Sequence, residues 1–142
     1  MTNAQKVILF LGYTVAGSRH DYTLFKQEFD PTLTWFDTFK LWVDLGYLGI
    51  KTDYAAALEI YIPHKKPRKS AANPAPALTP AQKLHNQQVS RQRIGVEHAI
   101  GFMKRFRILT TLFRNHKVSF VDDVALIAAA LSNWMRICPA TA

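Results

Sequence analysis

Five of the chain's seven prolines fall between positions 63 and 80. Proline fixes φ and has no N–H to donate, so it is excluded from helix interiors and from the middle of a sheet. Residues 63–80 are therefore a loop or an extended segment, and the fold must be built from what flanks them. The same stretch carries Lys65, Lys66, Arg68 and Lys69. The flanks have the material for a core. The chain has 142 residues, 49% of them hydrophobic, which suits one domain and excludes a disordered tail.

Before the loop, Lys6–Val15 is apolar and rich in β-formers, and reads as a buried strand. The Ala-Gly-Ser at 16–18 breaks it. Asp21 can cap a short helix over Tyr22–Phe29, which Asp30–Pro31 ends. Leu41–Val43 is a short apolar run leading into Asp44 and a glycine-punctuated turn. Glu59–Ile62 reads as a further strand, closed by Pro63. After the loop the pattern turns helical. Thr79 is the expected N-cap, with Pro80 at the first helical position. This helix runs to about Phe106, either continuous or kinked or broken near Ser90. Ile108–Phe113 is either a short strand or an irregular connection. Asp122–Asp123 opens a last helix to about Arg136, with acids in its first turn and a base in its last. The order suits an α/β domain, with few strands for a sheet that must shield two faces.

Charge is segregated along this layout. The net charge is +8. Positions 60–121 hold twelve basic residues and one acid, Glu97, while the other eighty residues are net −3. A local patch is expected, and its natural partner is nucleic acid rather than an anionic membrane. Arg91, Arg93, Lys104, Arg105 and Arg107 lie on or beside the helix that carries Glu97. With Lys65, Lys66, Arg68 and Lys69 they are the candidate phosphate contacts. Phosphate contacts of this kind give salt-dependent, sequence-independent affinity. The alternative is a solvated basic surface that binds nothing specific.

Cys138 is the only cysteine, so an intramolecular disulfide and a cysteine-based zinc site are both excluded. Its default role is a small buried hydrophobe. Val7–Leu11 is too short to span a membrane. A cytoplasmic protein is expected, nucleoid-associated if bacterial.

Three acids are candidates for chemistry. On the 63–121 flank, Val96, Ala99, Ile100, Met103 and Phe106 share one helical stripe, the expected core face. Glu97 sits at its edge, with Gly101 one turn on. Either Glu97 makes an ion pair with Arg93, or it is a lone carboxylate kept in a polyanion site to hold a divalent cation. Asp44 follows a strand-like run and precedes a glycine turn, the place where α/β sheets bind ligands. The alternative is a turn aspartate bonding its own backbone. Asp21 is an N-cap by default and an accessory acid by the sharper reading. The five histidines form no spaced metal cluster.

Taken together, the strings GSRHD, VDLGYLG and RIGVEHAIGFMKRFRIL resemble the DDE-superfamily endonuclease domain of insertion-sequence and Harbinger-like transposases. Leu131-Ser132-Asn133 is similar to that family's closing Leu-x-Asn. The resemblance implies an RNase H-like fold, here N-terminally truncated, with an incomplete mixed sheet and flanking helices. It implies Asp44 as the second catalytic, metal-holding acid and Glu97 as the third, 53 residues later. It implies Mg²⁺ or Mn²⁺ as cofactor and double-stranded DNA as substrate for cleavage and strand transfer. The family's first Asp lies upstream of the GSRHD string, and none of residues 1–16 is Asp or Glu. Two metal ions need a bridging acid to hold them both.

The expectation is therefore the C-terminal portion of a DDE transposase, residues 1–142 forming part of its catalytic domain. On its own it would be inactive. It would come from a truncated gene or from the second of two overlapping frames, with an upstream-encoded piece or self-association supplying the rest. A non-catalytic DNA-binding protein or transposase inhibitor is the alternative, and a marginal, poorly folded remnant is a third.

Overall fold

The computed structural model describes residues 1–15, 17–71, 73–111, 117 and 119–138. The described residues are mixed α/β. In chain order they form helix α1 (Asp21–Glu28), strand β1 (Lys40–Trp42), a 3-10 turn at Leu45–Tyr47, helix α2 (Ile50–Asp53), strand β2 (Glu59–Tyr61), helix α3 (Pro80–Met103), a 3-10 turn at Arg107–Leu109 and helix α4 (Phe120–Ile137). Two compact units emerge. One holds Ser18–Arg93, the other Met1–Gly17 with Ile94–Ala142. No described helix is long and apolar enough to cross a membrane.

In the Ser18–Arg93 unit, β1 and β2 pair in parallel, Lys40 opposite Glu59 and Trp42 opposite Tyr61. The apolar run before Asp44 and the run from Glu59 are thus the two strands of one sheet. Beside them lies an aromatic core. The Phe25 ring stacks on Phe36 at 5.8 Å and meets Tyr54 edge-on at 5.5 Å. Phe29 and Phe36 sit 5.3 Å apart. Phe29, Phe36, Ile50 and Tyr54 are all buried, Ile50 completely. The Tyr54 hydroxyl donates to the Phe29 carbonyl, and burial pushes its phenol pKa up to about 12. α1 begins one residue earlier than the sequence suggests. His20, not Asp21, is its N-cap, and its Nδ1 accepts from the Tyr22 N–H at 3.3 Å. Asp21 occupies the first helical position, where its charge suits the positive end of the helix. α2 has no counterpart in the sequence reading. It starts from Gly49, whose φ of 99° is the left-handed region, where a side chain would be strained.

α3 starts as expected. Thr79 Oγ1 accepts from the Gln82 N–H at 3.2 Å, and Gln82 Oε1 accepts from the Thr79 N–H at 3.0 Å. That is a reciprocal capping box. Of the two alternatives at Ser90 the continuous one holds, and the helix runs without interruption for 24 residues. Ser90 is exposed and Val89 beside it is completely buried, so packing favours continuity there. Beyond Met103 the bonds shorten to i+3 steps, Arg105 N–H to Phe102 and Phe106 N–H to Met103. The expected connection from Ile108 is a 3-10 turn to Leu109 and irregular to Thr111. Leu112 and Phe113 lie outside the described residues.

In the other unit, Met103, Ala128 and Ala129 form a small core, with Ile8, Leu11, Phe106 and Leu109 packed against it. The expected stripe is half right. Ala99 and Met103 are buried and Phe106 partly so, but Val96 and Ile100 are exposed. α4 buries Ala128, Ala129 and Ser132 and leaves Ile127, Trp134 and Ile137 more than half exposed. Cys138 is exposed, not buried, because it lies past the end of α4 at its C-cap.

The expected strand at Lys6–Val15 is corrected. Its ladder is a single antiparallel bridge, Thr2 with Ile8, and Lys6 turns the backbone at φ 63°. Leu9, Tyr13 and Val15 are exposed. A side chain takes the place of a neighbouring strand. Asn133 Oδ1 accepts from the Ile8 N–H at 2.8 Å, and Asn133 Nδ2 donates to the Ile8 carbonyl at 2.8 Å. A primary amide thus mimics one rung of a sheet, which gives the closing Leu-x-Asn string a physical task. Asn133→Ala strands both backbone groups of a part-buried residue. It is expected to cost about 1–3 kcal/mol, read as a lowered denaturation midpoint.

Candidate functional site

Asp44 stands two residues beyond the end of β1 and caps the following 3-10 turn. Its Oδ1 accepts from the Gly46 N–H at 2.7 Å. A Cβ on Gly46 would lie 2.9 Å from that oxygen, so the Asp-Leu-Gly spacing is a steric requirement of the cap. The other oxygen, Oδ2, takes the Arg93 guanidinium at 3.2 Å. The bland reading of Asp44, a turn aspartate, therefore holds together with its position at a strand's carboxyl end.

Around Asp44 is a hollow of about 500 Å³, lined in part by Arg19, His20, Asp21, Asp44, Gly46 and Arg93. These residues come from all three strings singled out in the sequence. GSRHD supplies Arg19, His20 and Asp21, VDLGYLG supplies Asp44 and Gly46, and the third string supplies its first residue, Arg93. The first two strings meet because α1 and the turn after β1 pack together, and Arg93 of the third joins them through its pair with Asp44. The Tyr22 and Tyr47 rings, edge-on at 5.7 Å, are part of that contact. The Tyr47 phenol pKa is pushed up, first by burial and then by the charges of Asp21 and Asp44, with Arg93 opposing.

Glu97 belongs to the other unit. It is exposed, and the expected ion pair with Arg93 does not form, because Arg93 is committed to Asp44. A Cβ on Gly101 would meet nothing within 4 Å among the described residues. No group of three His, Cys, Asp or Glu able to hold a metal occurs among the described residues. A hard divalent cation wants several oxygen ligands. Each Asp44 oxygen has one partner, Oδ1 the Gly46 N–H and Oδ2 the Arg93 guanidinium, and each keeps a second acceptor site. The two carboxylates that line the hollow do not complete such a set by themselves, and two arginines, one of them paired with Asp44, line it beside them.

Of the candidate phosphate contacts, Arg93 is partly buried in its ion pair. Lys65, Lys66, Arg68, Lys69, Arg91, Lys104, Arg105 and Arg107 are exposed. Arg105 lies over the Phe102 ring at 4.5 Å, as does Arg136. Sequence reasoning missed two partners, His20 as helix cap and Arg93 as the cation on Asp44. His20 stood inside a quoted string. Arg93 could be found only by knowing which strand end faces α3.

Comparison with known proteins places these observations. The family model for the DDE superfamily endonuclease matches residues 1–133. A probable transposase for insertion sequence element IS702 from Microchaete diplosiphon is 32% identical over 121 residues, covering 85% of this chain. The chain spans 39% of the length of that relative. No solved structure matches. With the family model covering nearly all of it, the chain belongs to the DDE superfamily endonucleases.

Proposed function

We propose that this chain is the C-terminal part of the catalytic domain of an insertion-sequence transposase, which acts in DNA transposition on double-stranded DNA. The carrying observation is the meeting of all three family strings around one hollow, with Asp44 at the carboxyl end of β1. The fold proposed is RNase H-like, the short parallel pair being a piece of its sheet. Asp44 and Glu97 are assigned as two of the family's acids, with Asp21 accessory, and Mg²⁺ or Mn²⁺ as the ion. Further ligands would come from the rest of the transposase, either an upstream-encoded piece or a second copy. The location that suits such a protein is the cytoplasm, on the nucleoid.

As it stands, the chain is proposed to bind duplex DNA without cutting it. The Arg93 guanidinium on Asp44 supports this, and it also favours the second reading, a non-catalytic DNA-binding protein or transposase inhibitor. The test is a duplex-binding and nicking assay in Mg²⁺ and in Mn²⁺. Retention of the duplex with no nicking is expected. Nicking that Glu97→Gln abolishes would overturn the non-cutting half and establish the acid. A chain that does not retain duplex DNA at low salt would overturn both readings.

A further inference from the structure

Away from Asp44, the sheet carries an aromatic ladder. Trp42 and Tyr61, opposite each other in the parallel register, stack nearly flat, centroids 3.9 Å apart and planes 7° apart. The next ring is His85 on α3. Its centroid is 6.5 Å from that of Tyr61 and its plane is tilted by 30°. A hollow of about 420 Å³ is lined by Tyr61 and His85 and not by Trp42. Leu58 and Tyr54 add apolar wall, and Lys51 and Glu59 add polar groups. The Tyr61 and His85 rings, 6.5 Å apart and tilted by 30°, are adjoining walls of that hollow, so a planar base entering it would stack against a ring.

Each ring is held. The Tyr61 hydroxyl donates to Glu59 at 2.5 Å, and Glu59 is paired with Lys40 at 2.7 Å. His85 Nε2 lies 3.0 Å from the Ile62 carbonyl. His64, edge-on to His85 at 4.9 Å, is clamped to α3 by Asn86. The Asn86 Oδ1 accepts from the His64 N–H at 2.6 Å, and its Nδ2 donates to the His64 carbonyl at 3.0 Å. The next residues are Lys65 and Lys66, then Arg68 and Lys69, all exposed. A run of phosphate-binding charge thus starts at the rim of a ring-lined slot.

We propose that Tyr61 and His85 form a stacking slot for one unpaired nucleobase, with the Lys65–Lys69 run holding the phosphates of the same strand. Stacking on an aromatic ring is tolerant of base identity, since every base has a π face. The slot would thus take a base from single-stranded DNA or one displaced from a duplex. The inference rests on the reading of the chain as DNA-binding and deepens it by naming a preferred form of DNA.

The probe is 2-aminopurine, placed in three oligonucleotides: single-stranded, bulged within a duplex, and fully paired. The slot predicts tighter binding of the first two than of the third by about five- to 150-fold, the equivalent of the ~1–3 kcal/mol that stacking of one base is worth. It also predicts quenching of the unpaired probe on binding. His85→Ala should remove the preference and the quenching while leaving affinity for the paired duplex within twofold. Tyr61→Phe, which keeps the ring and removes the bond to Glu59, should retain both. Equal affinity for all three probes, or quenching that survives in His85→Ala, overturns the slot while leaving DNA binding intact. Failure to bind any of the three overturns the DNA-binding reading itself, and the slot with it.

Discussion

Phe36→Ala is expected to destabilise the Ser18–Arg93 unit by about 3–5 kcal/mol, the range for emptying a buried aromatic site. Phe36 is only 6% exposed, and its ring touches three others: Phe25 at 5.8 Å, Phe29 at 5.3 Å and Tyr54 at 5.7 Å. Its carbonyl also accepts from the Leu58 N–H at 2.9 Å, so the residue ties the ring cluster to the chain just before β2. Those rings cannot collapse into the void freely, since the Tyr54 hydroxyl is bonded to the Phe29 carbonyl. Domain stabilities are about 5–15 kcal/mol in total, so a loss of this size leaves a large unfolded population on mild warming. Phe39→Ala is the control. Phe39 is 60% exposed, and a surface truncation of this kind is expected to stay within about 0.5 kcal/mol. Chemical denaturation followed by circular dichroism reads both. Two equal, small shifts would show that the ring cluster is not the core of this unit.

What could be read from the sequence follows the range of the forces involved. The start of α3 was legible because its signals are local. Thr79, Pro80 and Gln82 lie within four residues, and their bonds are those a capping box requires. β2 was legible from a bounded apolar run closed by Pro63. The N-terminal segment was not. Its composition suits a strand, but a strand is defined by a neighbour, and the backbone of Ile8 is met by the Asn133 side chain, 125 residues away. The α3 stripe shows a third case. Periodicity names the face that turns inward but not how much of it a neighbour covers, so Ala99 and Met103 are buried and Val96 and Ile100 are not. α2 escaped notice because four residues are too few to show a period.

The candidate site divides in the same way. Asp44 was legible as a group at a strand's end, since Gly46 two residues on reports the tight turn. Its cation was not. By spacing, Arg93 pairs with Glu97 one turn along the same helix. In the fold it pairs with Asp44, 49 residues away. An intrahelical pair of this kind is worth only about 0.2–0.5 kcal/mol, and a partly exposed tertiary pair about 0–1 kcal/mol, so where the fold places Asp44, rather than pair strength, decides which one forms. Glu97 is left exposed, which is what a metal-holding acid awaiting its remaining ligands needs. It is also what an idle surface glutamate looks like, and nicking that Glu97→Gln abolishes would assign it the metal-holding role.

Replacing Lys65, Lys66, Arg68 and Lys69 together with glutamine is expected to flatten the salt dependence of duplex binding. Each phosphate neutralised contributes about 0.9 to the slope of log affinity against log salt. Four contacts contribute ~3.6, so a fourfold rise in salt costs about 10²-fold in affinity through this segment alone. The wild-type chain should show that loss between about 50 and 200 mM salt. The variant should lose most of it and bind more weakly at the low end. Not every basic residue should behave this way. Lys26 lies 3.3 Å from Asp53 and Lys40 lies 2.7 Å from Glu59. A charge already neutralised inside the protein releases no counterion from DNA, so Lys26→Gln and Lys40→Gln should leave the slope unchanged. Titration across salt with all three variants decides the matter. If the loop variant keeps the wild-type slope, the phosphate-binding surface lies elsewhere, with Arg91, Lys104, Arg105 and Arg107 the exposed set left to carry it. If the slope falls by about three or more, the proline-rich segment is the part that grips DNA. Its prolines then have a physical use. They keep four like charges in an extended chain that can follow a phosphate backbone, and they prevent a helix or strand from drawing those charges into the fold.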